Sequence, residues 1–185
     1  MRHMNWMTGR HWSMFAFGVV ALWAAASAVA IESDECSDPT IEPTTPSEDF
    51  TAIEEGEVVR HERTGLEWWR CSEGMAWNAG DGSCEGDADE MTWQEALEHA
   101  ADKDDWRLPD INELRSIVER CSEDLAINGA VFPDTARKAY VSRFWSSSPY
   151  HGDASDAWQV DFVSGRSDDW GKNLEFYVRL VRDGQ

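Results

Sequence analysis

Thr92-Trp93-Gln94-Glu95 and Asp110-Ile111-Asn112-Glu113 flank the segment Trp106-Arg107-Leu108-Pro109, and both flanks follow one pattern: a small oxygen-bearing residue with a glutamate three places later. That pattern is a capping box, in which the first side chain accepts from the third backbone N–H and the glutamate reaches back to the cap's own N–H. Each one predicts a helix start, giving helices over 93–103 and 111–121. The first helix would present Trp93, Ala96, Leu97, Ala100 and Ala101 on one face, and the second Ile111, Leu114, Ile117, Val118 and Cys121. Two amphipathic helices of this kind need a common core.

Strand signals lie on both sides of the pair. Residues 57–60 and 66–69 read as short strands about a turn near Arg63-Thr64-Gly65, and 144–148, 157–163 and 176–181 as later ones. Trp158, Val160 and Phe162 alternate with Gln159 and Asp161, as a half-buried strand requires. The expectation is a single α+β domain with two consecutive helices between short antiparallel strands. Further upstream, Arg2 and Arg10 precede the apolar stretch 14–26, and Ser27-Ala28-Val29-Ala30 supplies small residues for cleavage, so residues 1–30 read as a secretory signal peptide. A retained anchor is the rival reading, but 14–30 is at the short limit for a membrane span. Residues 31–52 hold Pro39, Pro43 and Pro46 among Thr, Ser and acids and read as an acidic linker; 53–185 form the folded domain, with no membrane span after signal removal.

Thr64-Gly65-Leu66-Glu67-Trp68, Trp93, Trp106-Arg107-Leu108-Pro109, Glu113-Leu114-Arg115-Ser116, Phe144-Trp145-Ser146-Ser147-Ser148 and Val178-Arg179-Leu180-Val181-Arg182 stand in a distinctive order over roughly residues 54–182. In that order they resemble the Lcl C-terminal domain family, a bacterial envelope domain named from a collagen-like adhesin. The resemblance implies an exported recognition or adhesion domain, secreted, periplasmic or held at the cell envelope, that binds a glycan or a surface protein and is not an enzyme. Together with the strand–helix–helix–strand order, it also implies a C-type-lectin-like architecture. A structural or assembly role in the envelope, with homo-oligomers, is the alternative; an enzyme with an unrecognised site is a more distant one.

Cysteine usage agrees with export. Cys36, Cys71, Cys84 and Cys121 are an even set without Cys-x-x-Cys spacing, and three pairings are open to them. Cys71 with Cys84 closes a Gly- and Asp-rich loop that lacks its own core, a bridge worth roughly 3 kcal/mol in the chain-entropy picture. Cys36 with Cys121 would then pin the N-terminal segment to a helix end. A buried free thiol at Cys121 is the competing reading.

Charge narrows the partners. The chain has 16 basic and 36 acidic residues, a net of −20; residues 1–30 contain Arg2 and Arg10 and no acid, so the remainder has 14 against 36, a net of −22. Such a surface excludes nucleic acid and repels sulfated polysaccharides at long range. Lysine is scarce, with only Lys103, Lys138 and Lys172, a composition that suits saline surroundings where screening is short-ranged.

Eight tryptophans follow residue 30, and each buries about 150–250 Å², so most belong to the core. Trp68, Trp93, Trp106, Trp145 and Trp158 are read as structural, as are Arg107 and Arg179, whose planar forks suit tying loop carbonyls or carboxylates together. Trp77 and Trp170, flanked by Gly and Asp, are the candidates for a ligand-binding surface. In the architecture that the resemblance implies, a long loop often carries calcium; here the corresponding region offers Asp153, Asp156, Asp168, Asp169 and Asn173 as hard oxygen ligands, although no cofactor is required and a solvated acidic loop is the favoured reading of them. The acidic run 81–90 lacks the fixed glycine and terminal glutamate of an EF-hand loop. His61, His99 and His151 stand in no recognised catalytic motif.

Overall fold

The computed structural model describes residue 36 and residues 40–121, 125–137 and 143–185. In chain order the described elements are β1 (Phe50–Ile53), β2 (Val58–His61), β3 (Leu66–Trp69), β4 (Ala76–Asn78), β5 (Ser83–Glu85), β6 (Glu90–Thr92), α1 (Trp93–Ala101), α2 (Ile111–Arg115), α3 (Pro133–Arg137), β7 (Arg143–Pro149), β8 (Asp156–Asp161), β9 (Arg166–Gly171), β10 (Glu175–Tyr177) and β11 (Val181–Asp183), with 3₁₀ turns at Ser47–Asp49 and Glu54–Gly56. The strands form a four-stranded sheet in the order β1-β2-β3-β11, a five-stranded sheet in the order β6-β10-β7-β8-β9, and the β4-β5 hairpin.

Both capping boxes form. Thr92 accepts from Glu95 N while the Glu95 carboxylate accepts from Thr92 N at 2.9 Å, and Asp110 and Glu113 do the same at the start of α2. The helices they start are short. α1 ends at Ala101, and α2 ends at Arg115 because Ser116 turns its hydroxyl back onto Glu113 O and the β-branched Ile117 and Val118 leave the helix, Val118 pairing with Ile127 as an isolated bridge. Ile117 and Val118 are still buried, so an extended turn satisfies the same apolar spacing that suggests a longer helix. The expected α+β arrangement, C-type-lectin-like by resemblance, is therefore corrected: eleven strands in three sheets with three short helices make the described residues mostly β.

The five-stranded sheet is buried on both faces. Phe144 and Val160 pair in register and pack with Val59, Trp68, Leu114, Phe162 and Val181, joining the two larger sheets and α2 in one core. Their strand neighbours Trp145 and Ala157 face the other way, against Ala96 and Ala100 of α1, Phe176 and Leu180. The chain passes from one sheet to the other through Val178-Arg179-Leu180, so the stretch expected as one strand over 176–181 is divided between β10 and β11.

Both disulfides expected from the sequence form, Cys71 to Cys84 across the β4–β5 hairpin and Cys36 to Cys121 across a separation of 85 residues. Within the segment read as a linker, residues from Thr44 onward belong to the folded unit. Glu119 accepts from Thr44 N and Oγ1, Thr45 N and Oγ1, Arg120 N and Cys121 N at 2.7–3.0 Å. Burial alone would raise the Glu119 carboxyl, but these donors outweigh it and hold the group below its usual range. The expected signal peptide, residues 1–30, lies outside the described residues.

Candidate functional site

Buried arginines hold the interior loops. Arg179 is fully buried at the crossing between sheets; it donates to Trp69 O at 2.8 Å and to Arg70 O, pairs with Asp134 at 2.8 Å, and lies over Phe132 and Phe144. Burial would raise Asp134, yet the Arg179 charge and the bonds from Ser72 keep its carboxyl lowered. Arg107 sits at the rim instead, bidentate to Glu113 at 2.7 and 2.8 Å and bonded to Asp183. Trp68 and Trp145 are fully buried. Trp93 donates to Ser146 O at 2.8 Å, and Trp106 is half-buried between the edge of Trp69 and the Arg182 guanidinium. A shallow apolar depression of about 280 Å³ lies beside Trp106, Leu97 and Leu108, and its one charged neighbour is Arg107, already bound to two carboxylates.

The two tryptophans proposed from sequence for a binding surface occupy different settings. Trp77 is half-buried: its indole N–H donates to Glu55 O at 3.2 Å and Arg70 lies over its ring at 4.1 Å. Glu54, Glu55 and Gly56 all have positive φ (50°, 56° and 88°), a conformation that costs a non-glycine residue about 1–2 kcal/mol. Three long-range contacts hold this turn: Trp77 to Glu55 O, Arg70 to Gly56 O at 3.1 Å, and Arg182 to the Glu54 carboxylate. Trp77 is a latch on a strained turn.

Trp170 stands on β9, an edge strand of the five-stranded sheet, and is 37 % exposed. Arg143 of β7 lies 4.7 Å above its ring and 5.8 Å from that of Phe176, which in turn meets Trp170 edge-on. Registers across β7-β8-β9 place Arg143, Trp145, Gln159, Asp161, Arg166, Asp168 and Trp170 on one sheet face. Gln159 is 2 % exposed, and its Oε1 has no hydrogen-bond partner among the described residues. Arg143, Gln159 and Phe176 are absent from the sequence-derived candidates. Residues 166–171 have no apolar alternation, so no sequence signal marks this face beyond Trp170 itself.

The five oxygen ligands proposed for calcium do not all come together. Asp153 and Asp156 share the Ser155 hydroxyl and Asn173 Oδ1 lies with Asp156 beside Gly171, but Asp168 and Asp169 are consecutive on β9 and point to opposite faces. Among the described residues no group of three or more His, Cys, Asp or Glu side chains is arranged to hold a metal. The histidines are likewise dispersed, His61 stacked on Phe50, His99 bonded to Glu73 and His151 beside Tyr150.

The model of the Lcl C-terminal domain matches residues 57–182, from the start of the β2 hairpin into β11. The chain belongs to the Lcl C-terminal domain family. No curated protein matches the chain. As a member of that family it is an adhesin-related domain, and its matched region contains the cross-linked β4–β5 hairpin, both capping boxes and the Trp170 edge. Its two disulfides suit an oxidising, extracytoplasmic compartment, and no helix of the described residues is long and apolar enough to cross a membrane.

Proposed function

We propose that this Lcl C-terminal domain is an exported, adhesion-type recognition module that holds a glycan or a surface protein at the β9 edge of its five-stranded sheet. The observation that carries the reading is Trp170, a large apolar side chain left 37 % exposed on a regular strand and backed by Arg143 and Phe176. A rigid indole with two rotatable bonds loses little entropy when it is covered, which is why such side chains anchor recognition surfaces. The leader-like first 30 residues and the two disulfides support delivery to the envelope or medium. Nothing in this reading calls for a metal or for chemistry on the ligand.

The test is retention of the full chain, purified with its disulfides formed, on a glycan panel and on intact cell surfaces, beside the Trp170→Ala variant. Retention on at least one surface that weakens about tenfold or more in the variant, at unchanged melting temperature, is the expected result. Equal retention of both proteins, or none on any surface, overturns it. Concentration-dependent self-association as the sole interaction would turn the reading to an assembly protein.

A further inference from the structure

The recognition reading above is the basis for a narrower inference about what the β9 edge takes. Gln159 lies on β8 between the strands that carry Arg143 and Trp170, on the same face, so the contact between those two side chains spans the strand position of Gln159. Buried amide oxygens are nearly always paired, and an orphan marks either a strain reservoir or a place kept for a ligand. Here the orphan sits beside a second unfilled group. Arg143 forms no ion pair or hydrogen bond with a described residue; it lies over the rings of Trp170 and Phe176. Local charge is the third observation: Arg143 and Arg166 share the face with Asp161 and Asp168, two of each sign, on a chain of net charge −20.

We propose that Arg143, Gln159 and Trp170 form a subsite for one neutral pyranose. The ring stacks its C–H face on Trp170, one hydroxyl donates to Gln159 Oε1, and the Arg143 N–H groups donate to hydroxyl or ring oxygens. A neutral polyol brings donors and acceptors together, which is what an unfilled acceptor beside unfilled donors requires. A sulfated or carboxylated chain brings net charge that the balanced patch does not offset and that the rest of the surface repels. Because Gln159 is closed to solvent, the Arg143 side chain swings aside as the sugar enters, a side-chain reorientation that leaves the β7 ladder in place.

Calorimetry and tryptophan fluorescence on the full disulfide-bonded chain test this, with glucose, galactose, mannose and their disaccharides against heparin-type and hexuronate oligosaccharides, at low salt and at about 1 M salt. A neutral sugar should saturate the protein with an affinity that changes less than about twofold with salt, and Trp170→Ala should weaken it about tenfold or more. Gln159→Met, which removes the acceptor at nearly constant volume, should weaken binding similarly while leaving the melting temperature unchanged or higher. Neutral-sugar binding that ignores both substitutions overturns the subsite. Binding of charged saccharides alone, or of a surface protein alone, overturns the subsite and leaves the recognition reading standing; binding of nothing on any surface removes both. Should Gln159→Met fail to fold, the exposed Trp170→Ala variant still decides.

Discussion

Trp77 and Trp170 each lie beneath an arginine, at 4.1 and 4.7 Å, yet the two arginines are in opposite situations. Arg70 gives its N–H groups to Val131 O, Ala130 O and Gly56 O at 2.8, 2.9 and 3.1 Å, and burial with the neighbouring Arg179 charge brings its pKa down to about 10. Arg143 has aromatic neighbours and no described acceptor. The first tryptophan supports a turn of three positive-φ residues, whereas the second stands on a regular strand whose main chain is fixed by its ladder to β8. Guanidinium stacking on indole therefore says nothing by itself about purpose. What separates a latch from a binding platform is whether the remaining N–H groups already have acceptors.

The largest effect should come from the arginines themselves. Arg70→Met removes the donor from three carbonyls in the interior and should cost about 3–5 kcal/mol in urea unfolding, while Arg143→Met should cost under about 1 kcal/mol. Equal costs would mean that the two arginines play the same part. Next, opening the Cys71–Cys84 bridge by the double serine variant should cost about 3 kcal/mol and shift the emission of Trp77, whose cross-strand partner is Cys84, without altering sugar binding at Trp170. Trp77→Ala should follow at about 2 kcal/mol, because the strained turn loses a bond and a packing surface, against less than about 1 kcal/mol for Trp170→Ala. A stability loss for Trp170→Ala larger than for Trp77→Ala would reverse the assignment of the two residues.

The smallest effect is a pH dependence confined to one hairpin. His61 and Phe50 stack across the open end of the β1–β2 hairpin, whose other end is the turn that Trp77 latches. Burial lowers the His61 pKa, with Arg63 acting in the same direction and the Asp49 and Glu62 charges opposing. The unfolded chain thus takes up this proton first, so His61 contributes stability above about pH 6.5 that is lost as pH falls toward its folded value. Protection factors of the β1 and β2 amides, taken against the intrinsic exchange rate at each pH, should fall over that window while those of β8 and β9 hold, and His61→Phe should flatten the dependence. An equal loss of protection across both hairpins would remove the distinction.

Local chemistry was legible where it is self-contained. The capping boxes at Thr92 and Asp110 form as read, Leu66–Trp69 is a strand, and the cysteines pair as expected. Length was not legible for α2, since Leu114, Ile117 and Val118 fit helical spacing and equally fit a turn that feeds the same core. β9 escaped because Arg-Ser-Asp-Asp-Trp-Gly has no apolar alternation; an edge strand packed through its main chain needs none. Trp77 and Trp170 look alike in sequence because the partners that distinguish them, Glu55 O and Arg70 for one and Arg143 for the other, arrive from 22, 7 and 27 residues away.

The bridge from Cys36 to Cys121 has a mechanical meaning. Tension entering the chain at or before Cys36 and leaving at the C-terminus travels through the sulfur atoms directly to residue 121, so everything from β1 through α2 sits in a loop outside the covalent load path. The Glu119 carboxylate, gripping Thr44 and Thr45 beside that bridge, keeps the unloaded loop seated. Under flow, the covalent pull runs through the part that holds β7 to β11, which includes the edge on which Trp170 stands, and reaches the loop through the ladders of β11 to β3 and β10 to β6.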